Sequence, residues 1–374
     1  MLLSRVDMNT PLATMRNVGH LFAGEDTEGF CCLGEKVRTD NNADALLLDS
    51  YADFLYCIAS WLILQRGLRG NRLFALSSIM IMGRNMAGIL SNGEEERIAR
   101  CVLGCNDPSL GEILRTAGRA ALAAGNILRG LYDQPHLITH KGAIDLVTEA
   151  DVAAEQTVLA MLKEAGEGIG FLAEESHSSY ETLPQGPVWV IDPLDGTTNF
   201  AHGFPIFAVS IAYAVGTLSK VGVVYAPMQD ELFCACLGGG AWLNGHPIQV
   251  SGASLLQDSL LATGFPYAIE TEVDGVMTAL SRLLTRCQGV RRTGAAAVDL
   301  AYLACGRTDG FWEINLKPWD TAAAMLLVSE AGGRLTAYNG QEYTPYLPEV
   351  VASNGRIHAE MVGQLADFSK AGKE

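Results

Sequence analysis

A pair of carboxylates three residues apart, followed by small hydroxyl side chains, is the part of this sequence best suited to chemistry. Asp192 and Asp195 follow an apolar run in the segment WVIDPLDGTTNF, and Pro193 stiffens the turn between them. Carboxylates fixed at the end of a strand suit hard cations, which take oxygen ligands. The N–H groups of Gly196 and Thr197 suit a phosphate. The alternative is an acidic surface turn, although two hydroxyls and a rigid carboxylate pair exceed what a turn requires.

Further acidic side chains stand at three other places along the chain. Glu174 and Glu175 follow the predicted strand GIGFL, and adjacent glutamates are by themselves typical of a solvated edge. Asp320 lies at the start of an apolar helix in KPWDTAAA, where an N-cap is the simpler role. Asp145 begins the segment DLVTEAD. Each acid has an ordinary structural explanation, so a functional site requires that the fold bring them together.

The elements that would position these acids alternate between helices and strands. Apolar residues at helical spacing predict a long helix from Asp107 and a second over 148–163, which carries Asp151 and Glu155. The strands that short apolar runs predict are 168–172, 187–191, 207–214, 220–226 and 231–237. The later helices that small-residue faces predict are 274–285, 294–304 and 321–331. This alternation indicates a layered α/β sandwich with a mixed sheet.

Four motifs, in order along the chain, resemble the inositol monophosphatase family, within the Mg²⁺-dependent, lithium-sensitive phosphatases. They are DLVTEAD at 145–151, AEES at 173–176, DPLDGTTNF at 192–200 and WDTAAAMLLVSEAGG at 319–333. The last two form a highly specific pair, whereas DLVT alone is a weak signal. The visible departure is Ala173, where the family usually has Gly. The resemblance covers about 108–356 and implies a hydrolase with the layered αβαβα fold.

The resemblance also implies a role for each matching residue. Two or three Mg²⁺ ions would be held by Glu174, Asp192, Asp195, Asp320 and the backbone carbonyl of Leu194. Glu175 and Thr197 would orient and activate the attacking water. The substrate would contact Asp195, Gly196, Thr197, Gly294, Ala295, Ala296 and Glu313. Such a reaction needs no covalent nucleophile, because metal ions neutralise the phosphate and activate water.

The expected substrate is inositol 1-phosphate or a related small phosphorylated polyol. Phosphatases of the same chemistry act on fructose 1,6-bisphosphate, histidinol phosphate, 3′-phosphoadenosine 5′-phosphate or NADP, and these stay open as alternatives. Glu313 favours a neutral, hydroxyl-rich group over a second phosphate, because a carboxylate repels anions. Some bacterial relatives act as non-catalytic partners of the RNA-synthesis machinery, which is a further alternative. Family members are commonly dimers, so the resemblance implies a homodimer.

Composition narrows the class of protein. Hydrophobic residues make up 49% and charged residues 18% of 374 positions, which allows a sizeable core and argues against disorder. A formal net charge of −16 argues against direct binding of nucleic acid. Nine cysteines match no zinc-ligand spacing, which favours reduced thiols in a cytoplasmic protein. The apolar runs are too short to span a bilayer, and the N-terminus does not resemble a signal peptide, so no membrane partner is expected.

The first hundred or so residues carry no motif with an attached chemistry. The predicted division is an N-terminal extension over 1–107 and a catalytic domain over 108–374, with subdomains of about 108–257 and 258–374. Helical periodicity occurs around 45–65. One hypothesis is that translation starts near Met80, and an N-terminal peptide upstream of it in mass spectra of the natural protein would reject this.

Overall fold

The helices and strands of the computed structural model are those of a layered α/β protein. It describes residues 90–134, 139–140, 146–164, 166, 168–176, 185–267 and 269–369. The helices are α1 (Asn92–Leu103), α2 (Pro108–Leu131), α3 (Glu149–Lys163), α4 (Thr197–Ala201), α5 (Ile269–Leu284), α6 (Ala296–Ala304), α7 (Pro318–Glu330) and α8 (His358–Leu365). The strands are β1 (Thr139–His140), β2 (Leu146–Val147), β3 (Gly170–Ala173), β4 (Pro187–Asp195), β5 (Ala208–Val215), β6 (Leu218–Ala226), β7 (Glu231–Cys236), β8 (Ala241–Leu243), β9 (His246–Ile248), β10 (Leu260–Thr263), β11 (Gly289–Arg291), β12 (Gly310–Ile314), β13 (Arg334–Thr336) and β14 (Glu349–Ser353).

Two mixed sheets carry most of the strands. The larger has the order β3-β4-β5-β6-β7-β8-β9, in which β3 and β4 are parallel and every later pair is antiparallel. The smaller has the order β11-β10-β12-β14-β13, with β10 parallel to both of its neighbours. The meander from β5 to β7 and the mixed sheet agree with the sequence prediction. A short ladder of β1 and β2 lies apart from these sheets.

Alternation along β4 divides its side chains between two apolar layers. Trp189 and Ile191 pack with helices α2 and α3 on one face of the larger sheet. Val188 and Val190 pack on the other face, in a layer that holds α6, α7 and the smaller sheet. A third apolar cluster joins the outer face of the smaller sheet to α5 and α8, with Trp312 at its centre. The layers therefore run αβαβα, as the resemblance implied.

Local signals begin α2 and α3 and end α7 close to the residues that the sequence predicts. Asp107 caps α2 by accepting the N–H of Ser109 at 2.8 Å, and Pro108 occupies the first helical position. Thr148 caps α3. Gly332 has a φ of +88° just after α7, a conformation that favours glycine. These short-range features explain why the predicted limits of α2 and α3 agree with the structure, whereas α5 and α7 begin five and three residues earlier than predicted.

Helix α1 lies before residue 107, yet it packs into the apolar layer beside α2. Ile98 and Cys101 are buried there, and Arg97 binds Asp230 at 2.8 Å. A side-chain atom at Gly118 of α2 would lie 3.1 Å from Ile98 Cγ1, so the two helices approach closely at a glycine. The domain limits stay a prediction, and the helical periodicity around 45–65 lies outside the described residues. Among the helices that the structure describes, none has the length and apolar character needed to cross a bilayer.

Candidate active site

An irregularity in the pairing of β4 with β5 sets the position of the two motif aspartates. Asp192 lies opposite Ser210 and Asp195 lies opposite Ala208, so β4 carries one more residue than β5 across this step. Pro193 falls inside the irregular stretch, where a residue without an N–H is tolerated. The sequence predicted that β4 ends at 191, before the acids. The structure instead places both aspartates within the end of the strand, where they are buried.

Gly196 turns the chain from β4 into the short helix α4. Its φ of +94° is a conformation that L side chains rarely adopt. A side-chain atom there would also lie 3.1 Å from the carbonyl oxygen of Ile206 and 3.3 Å from Cβ of Ala295. The glycine therefore allows the turn and lets the start of α6 approach it. Gly196, Thr197, Ala295 and Ala296 are thus brought into one neighbourhood.

Asp195 caps helix α6 from a different element. Its Oδ1 accepts the N–H of Ala296 at 3.2 Å, and its Oδ2 accepts the N–H of Ala297 at 2.7 Å. The N-cap position of α6 is Ala295, whose side chain has no acceptor. The orphan amides at the start of α6 are therefore satisfied by a carboxylate about one hundred residues away. This contact fixes Asp195 against the segment that the resemblance assigns to the substrate.

Burial and neighbouring acids perturb the carboxylates of this site. Burial raises the pKa of Asp192 well above its usual range, and the charges of Glu174, Asp195 and Asp320 raise it further. Burial likewise raises the pKa of Asp195 to about 7, opposed by the N–H of Ala297. The four acids proposed as metal ligands are therefore close enough to repel one another in a medium that screens charge weakly.

The donors in this neighbourhood fit a hard cation. They are carboxylate oxygens, with the carbonyl of Leu194 beside them, and Mg²⁺ prefers such ligands. Among the residues that the structure describes, no three His, Cys, Asp or Glu side chains are arranged to hold a metal ion as they stand. The acids, of which Asp192 and Asp195 are buried and Glu174 and Asp320 half-buried, therefore share one neighbourhood without forming a closed cage. The Leu194 carbonyl also accepts the hydroxyl of Thr197 at 3.1 Å.

Asp320 lies inside the first turn of α7 and not at its N-cap. The N-cap is Lys317, whose backbone N–H donates to Asp320 Oδ2 at 2.7 Å. The simpler interpretation of Asp320 as the N-cap is therefore wrong by three residues, because Pro318 starts the helix earlier than the sequence predicted. The acid still stabilises this helix start, and the same side chain raises the pKa of Asp192.

Thr197 is held by an acid to which sequence reasoning gave no role. Its hydroxyl donates to Asp151 Oδ1 at 2.9 Å. The other oxygen of Asp151 accepts both the backbone N–H and the hydroxyl of Thr148 at 2.7 Å, which closes the capping box of α3. The Thr-x-x-Asp spacing could have revealed the capping box. The link to Thr197 crosses two elements and leaves no local signal.

Glu155 is a second residue that the sequence analysis left without a role. Its Oε2 accepts the backbone N–H of Glu175 at 2.8 Å and so fixes the loop that follows β3. The preceding Glu174 donates its own N–H to the carbonyl of Ile191 in β4 at 3.2 Å. The paired glutamates are therefore tied to α3 on one side and to β4 on the other. Asp145 lies outside the described residues.

The residues expected to contact the polyol lie at the start of α6 and on β12. Gly294 has a φ of +89°, and Asn199 packs directly against it. The amide of Asn199 donates to the carbonyl of Thr293 at 2.8 Å, which ties α4 to this segment. Glu313 is buried against Gly264, where any side chain would overlap its carboxylate. Burial raises the pKa of Glu313 well above its usual range, and nearby acids, including Asp195 and Asp320, raise it further.

The layered fold and the acids beside helix starts have the arrangement expected of a metal-dependent α/β phosphatase. The chain belongs to the inositol monophosphatase family, whose model matches residues 109–371. It is 42% identical to the Nus factor SuhB of Escherichia coli K12 over 257 residues, 68% of this chain and 96% of that protein. It is 44% identical to an inositol-1-monophosphatase of Synechocystis over 254 residues, 68% of this chain and 88% of that protein. The solved inositol monophosphatase of Anabaena aligns with a TM-score of 0.62 and 41% identity over 69% of this chain and 96% of that one.

Proposed function

We propose that this chain is a Mg²⁺-dependent phosphatase that hydrolyses inositol 1-phosphate or a closely related polyol phosphate. The observation that carries the proposal is the buried carboxylate of Asp192, surrounded by the charges of Glu174, Asp195 and Asp320. Buried acids so close together are stable as anions only beside cations. An acidic protein needs the same cations to accept an anionic substrate.

The residues that would hold the cations are Glu174, Asp192, Asp195, Asp320 and the Leu194 carbonyl. Bound there, two or three Mg²⁺ ions would neutralise phosphate charge and lower the pKa of water. The protein contributes the positions of the donors. Asp195 is fixed by the N-terminus of α6, Asp320 by the first turn of α7, and Glu174 by β4.

Thr197 and Glu175 would act on the water that attacks phosphorus. Because Asp151 and the Leu194 carbonyl take the single hydroxyl hydrogen of Thr197, the lone pairs of this oxygen are left to accept a hydrogen from water. Glu175 would take the proton through the water, and Glu155 keeps its backbone in place. The N–H groups of Gly196 and Thr197, at the start of α4, would bind phosphate oxygens.

The residues expected to contact the polyol, at the start of α6 and on β12, favour a leaving group without a charge. Ala295 and Ala296 have only methyl side chains at the start of α6, and Gly294 beside them lies in close contact with Asn199. Glu313 would hydrogen-bond to polyol hydroxyls, and the acidic groups around it that raise its pKa would disfavour a second phosphate. This favours inositol 1-phosphate over fructose 1,6-bisphosphate, 3′-phosphoadenosine 5′-phosphate and NADP.

The test is a substrate panel with the purified full-length protein and Mg²⁺, scored by kcat/KM. We expect inositol 1-phosphate to exceed histidinol phosphate and the bisphosphates, with inhibition by millimolar lithium. Glu313→Gln is the matched variant. It should lower the ratio of kcat/KM for inositol 1-phosphate to that for fructose 1,6-bisphosphate, and its hydrolysis should still require Mg²⁺. A higher kcat/KM of the wild type for a bisphosphate would overturn the substrate assignment. If no substrate of the panel were hydrolysed in a metal-dependent way, the proposed phosphatase activity would be wrong.

A second function is favoured by one comparison. The relatives at 42% identity include proteins named Nus factor SuhB, which supports a non-catalytic role beside the RNA-synthesis machinery. A pull-down from native extract, with wild type and Asp192→Asn in parallel, separates the two. Capture of RNA polymerase by both forms supports the binding role, and a cellular phenotype lost with Asp192→Asn supports the enzyme. A homodimer in the cytoplasm is the assembly and location that we propose for either function.

A further inference from the structure

Four cysteines face one another where α1 meets the larger sheet. Cys101 and Cys105 are four residues apart, on one side of the last turn of α1 and its exit. Cys234 and Cys236 are two residues apart on β7, so their side chains point to the same face. Three of these cysteines are buried in the apolar layer that also holds α2, and Cys105 packs against it. Four residues along a helix cover about the same length as two along a strand. Cys101 therefore lies opposite Cys234, and Cys105 lies opposite Cys236.

The backbones beside the outer pair are in direct contact. A side-chain atom at Gly104 would lie 2.8 Å from the carbonyl oxygen of Gly239, and one at Gly239 would lie 2.6 Å from the carbonyl oxygen of Gly104. Neither position therefore tolerates a larger residue without movement. Glu330 of α7 accepts the N–H groups of Gly238 and Gly240 at 2.8 Å each, which fixes the turn after β7. Cys105 and Cys236 flank this contact.

The thiols meet in two pairs with different access to solvent. Cys101 contacts Cys234, and both are almost completely buried, at 1% and 0% exposure. Cys105 contacts Cys236, and Cys105 is partly exposed. The contact lowers the pKa of the Cys236 thiol, because its thiolate accepts a hydrogen bond from Cys105. The outer pair is thus both reachable from solvent and able to form a thiolate.

We propose that Cys105 and Cys236 are a redox modification site, which a small-molecule disulfide converts to a disulfide that joins α1 to β7. The sulfur of Cys105, which solvent reaches, attacks the external disulfide while its proton passes to the Cys236 thiolate that accepts its hydrogen bond. A mixed disulfide forms on Cys105 and one thiolate leaves. Cys236 then loses its proton to the released thiolate, attacks the Cys105 sulfur and releases the second thiol. Two protons leave the protein thiols, and the two electrons reduce the external disulfide to two thiols. Cys101 and Cys234 stay reduced, because no reagent reaches them while α1 is packed.

The consequence is a covalent connection between the catalytic fold and the helix before the family region, which starts at residue 109. The disulfide would close a loop of more than one hundred residues, and long closed loops restrict the unfolded chain most. A metal site is the other use of four thiols. The contacts join the thiols two by two, Cys101 with Cys234 and Cys105 with Cys236, which favours the disulfide.

The test equilibrates the full-length protein with oxidised glutathione, alkylates remaining thiols and locates disulfides by tandem mass spectrometry. We expect a Cys105–Cys236 bond, with Cys101 and Cys234 alkylated only after unfolding. The thermal midpoint of the oxidised form should rise by on the order of 5–10 °C. The fragment spectra assign each bond, so Cys31, Cys32 and Cys57 do not confuse the result.

Variants distinguish the proposed pair from general oxidation. Cys105→Ser should abolish both the crosslink and the rise in midpoint. Cys287→Ser, at another partly exposed cysteine, should leave both unchanged. Complete alkylation of Cys105 and Cys236 in the folded, glutathione-treated wild type would overturn the proposal. So would a stable glutathione adduct on Cys105 without the crosslink, or bound zinc at one ion per chain that protects all four thiols.

Discussion

The hydroxyl of Thr197 donates to Asp151 Oδ1 at 2.9 Å, across 46 residues of sequence. Asp151 is buried, and its second oxygen is occupied by Thr148 at the start of α3. The Asp151 carboxylate and the Leu194 carbonyl, 3.1 Å from the hydroxyl, accept hydrogen bonds and donate none, so Thr197 donates its single hydrogen on this side. Helix α3 therefore orients a side chain beside the buried aspartates of β4.

Asp151→Asn should lower kcat by on the order of 10²-fold with little change in KM. An asparagine amide donates toward Thr197, so it competes with water for the lone pairs of the Thr197 oxygen, while the hydroxyl hydrogen turns to the Leu194 carbonyl. Steady-state kinetics with inositol 1-phosphate and saturating Mg²⁺ measure the effect. Thr157→Val is the matched control on α3, since its hydroxyl bonds only the carbonyl of Ala153. An unchanged kcat in Asp151→Asn would remove Thr197 from the proposed mechanism.

Mg²⁺ should stabilise the wild type and leave Asp192→Asn almost unaffected. Binding to the folded state alone contributes about 2.7 kcal/mol at 100 times the dissociation constant. Asparagine keeps the acceptor that bonds the N–H of Leu194 at 2.9 Å, so the fold is retained. Without metal the variant should match or exceed the wild type in stability, because one of four mutually repelling charges is gone. Thermal unfolding with chelator and with Mg²⁺ measures both, and an equal Mg²⁺ shift in the variant contradicts Asp192 as a ligand.

The sequence predicted the layers and most helix limits because their causes are local. Asp107 and Pro108 start α2, and alternation of apolar residues divides β4 between two layers. The extension of β4 to Asp195 was not predicted, because it depends on pairing with β5 around a proline. The packing of α1 was missed for a similar reason, since Ile98 is buried through tertiary contacts such as that with α2.

Only the family resemblance predicted that the acids lie close together in the fold. Glu174, Asp192 and Asp320 are far apart in sequence, and each alone is explained by an edge, a turn or a helix start. The motifs did not predict the hydrogen bonds that hold the site residues in place, such as those of Asp151 with Thr197 and of Glu155 with Glu175. Those contacts join different elements, so they follow from tertiary packing and not from any spacing.

Asp299 should make the metal-free protein less stable as pH rises. Burial raises the pKa of this side chain from 3.8 to about 8. Between these values the folded state holds a proton that the unfolded state releases, so the free energy of unfolding falls as pH rises from about 4 to about 8. Asp299→Asn should reduce the difference in free energy of unfolding between low and high pH by on the order of a few kcal/mol. Denaturant unfolding at pH 5 and pH 8.5 in chelator measures it, with the exposed Asp258→Asn as control. A pH dependence identical to that of wild type contradicts the buried, protonated state.

Ile98→Ala should destabilise the catalytic fold although residue 98 precedes the family region. Ile98 has no exposed surface and packs against Gly118 of α2, so its truncation leaves a cavity. Large-to-small changes at such sites cost about 2–5 kcal/mol of unfolding free energy. Leu103→Ala on the same helix is the control, because Leu103 is 84% exposed and should change stability by less than about 0.5 kcal/mol. Denaturant unfolding of the two variants compares them directly. Equal free energies of unfolding for the two variants would mean that α1 is an accessory segment. A loss confined to Ile98→Ala would mean that α1 unfolds together with the sheet that carries the active site.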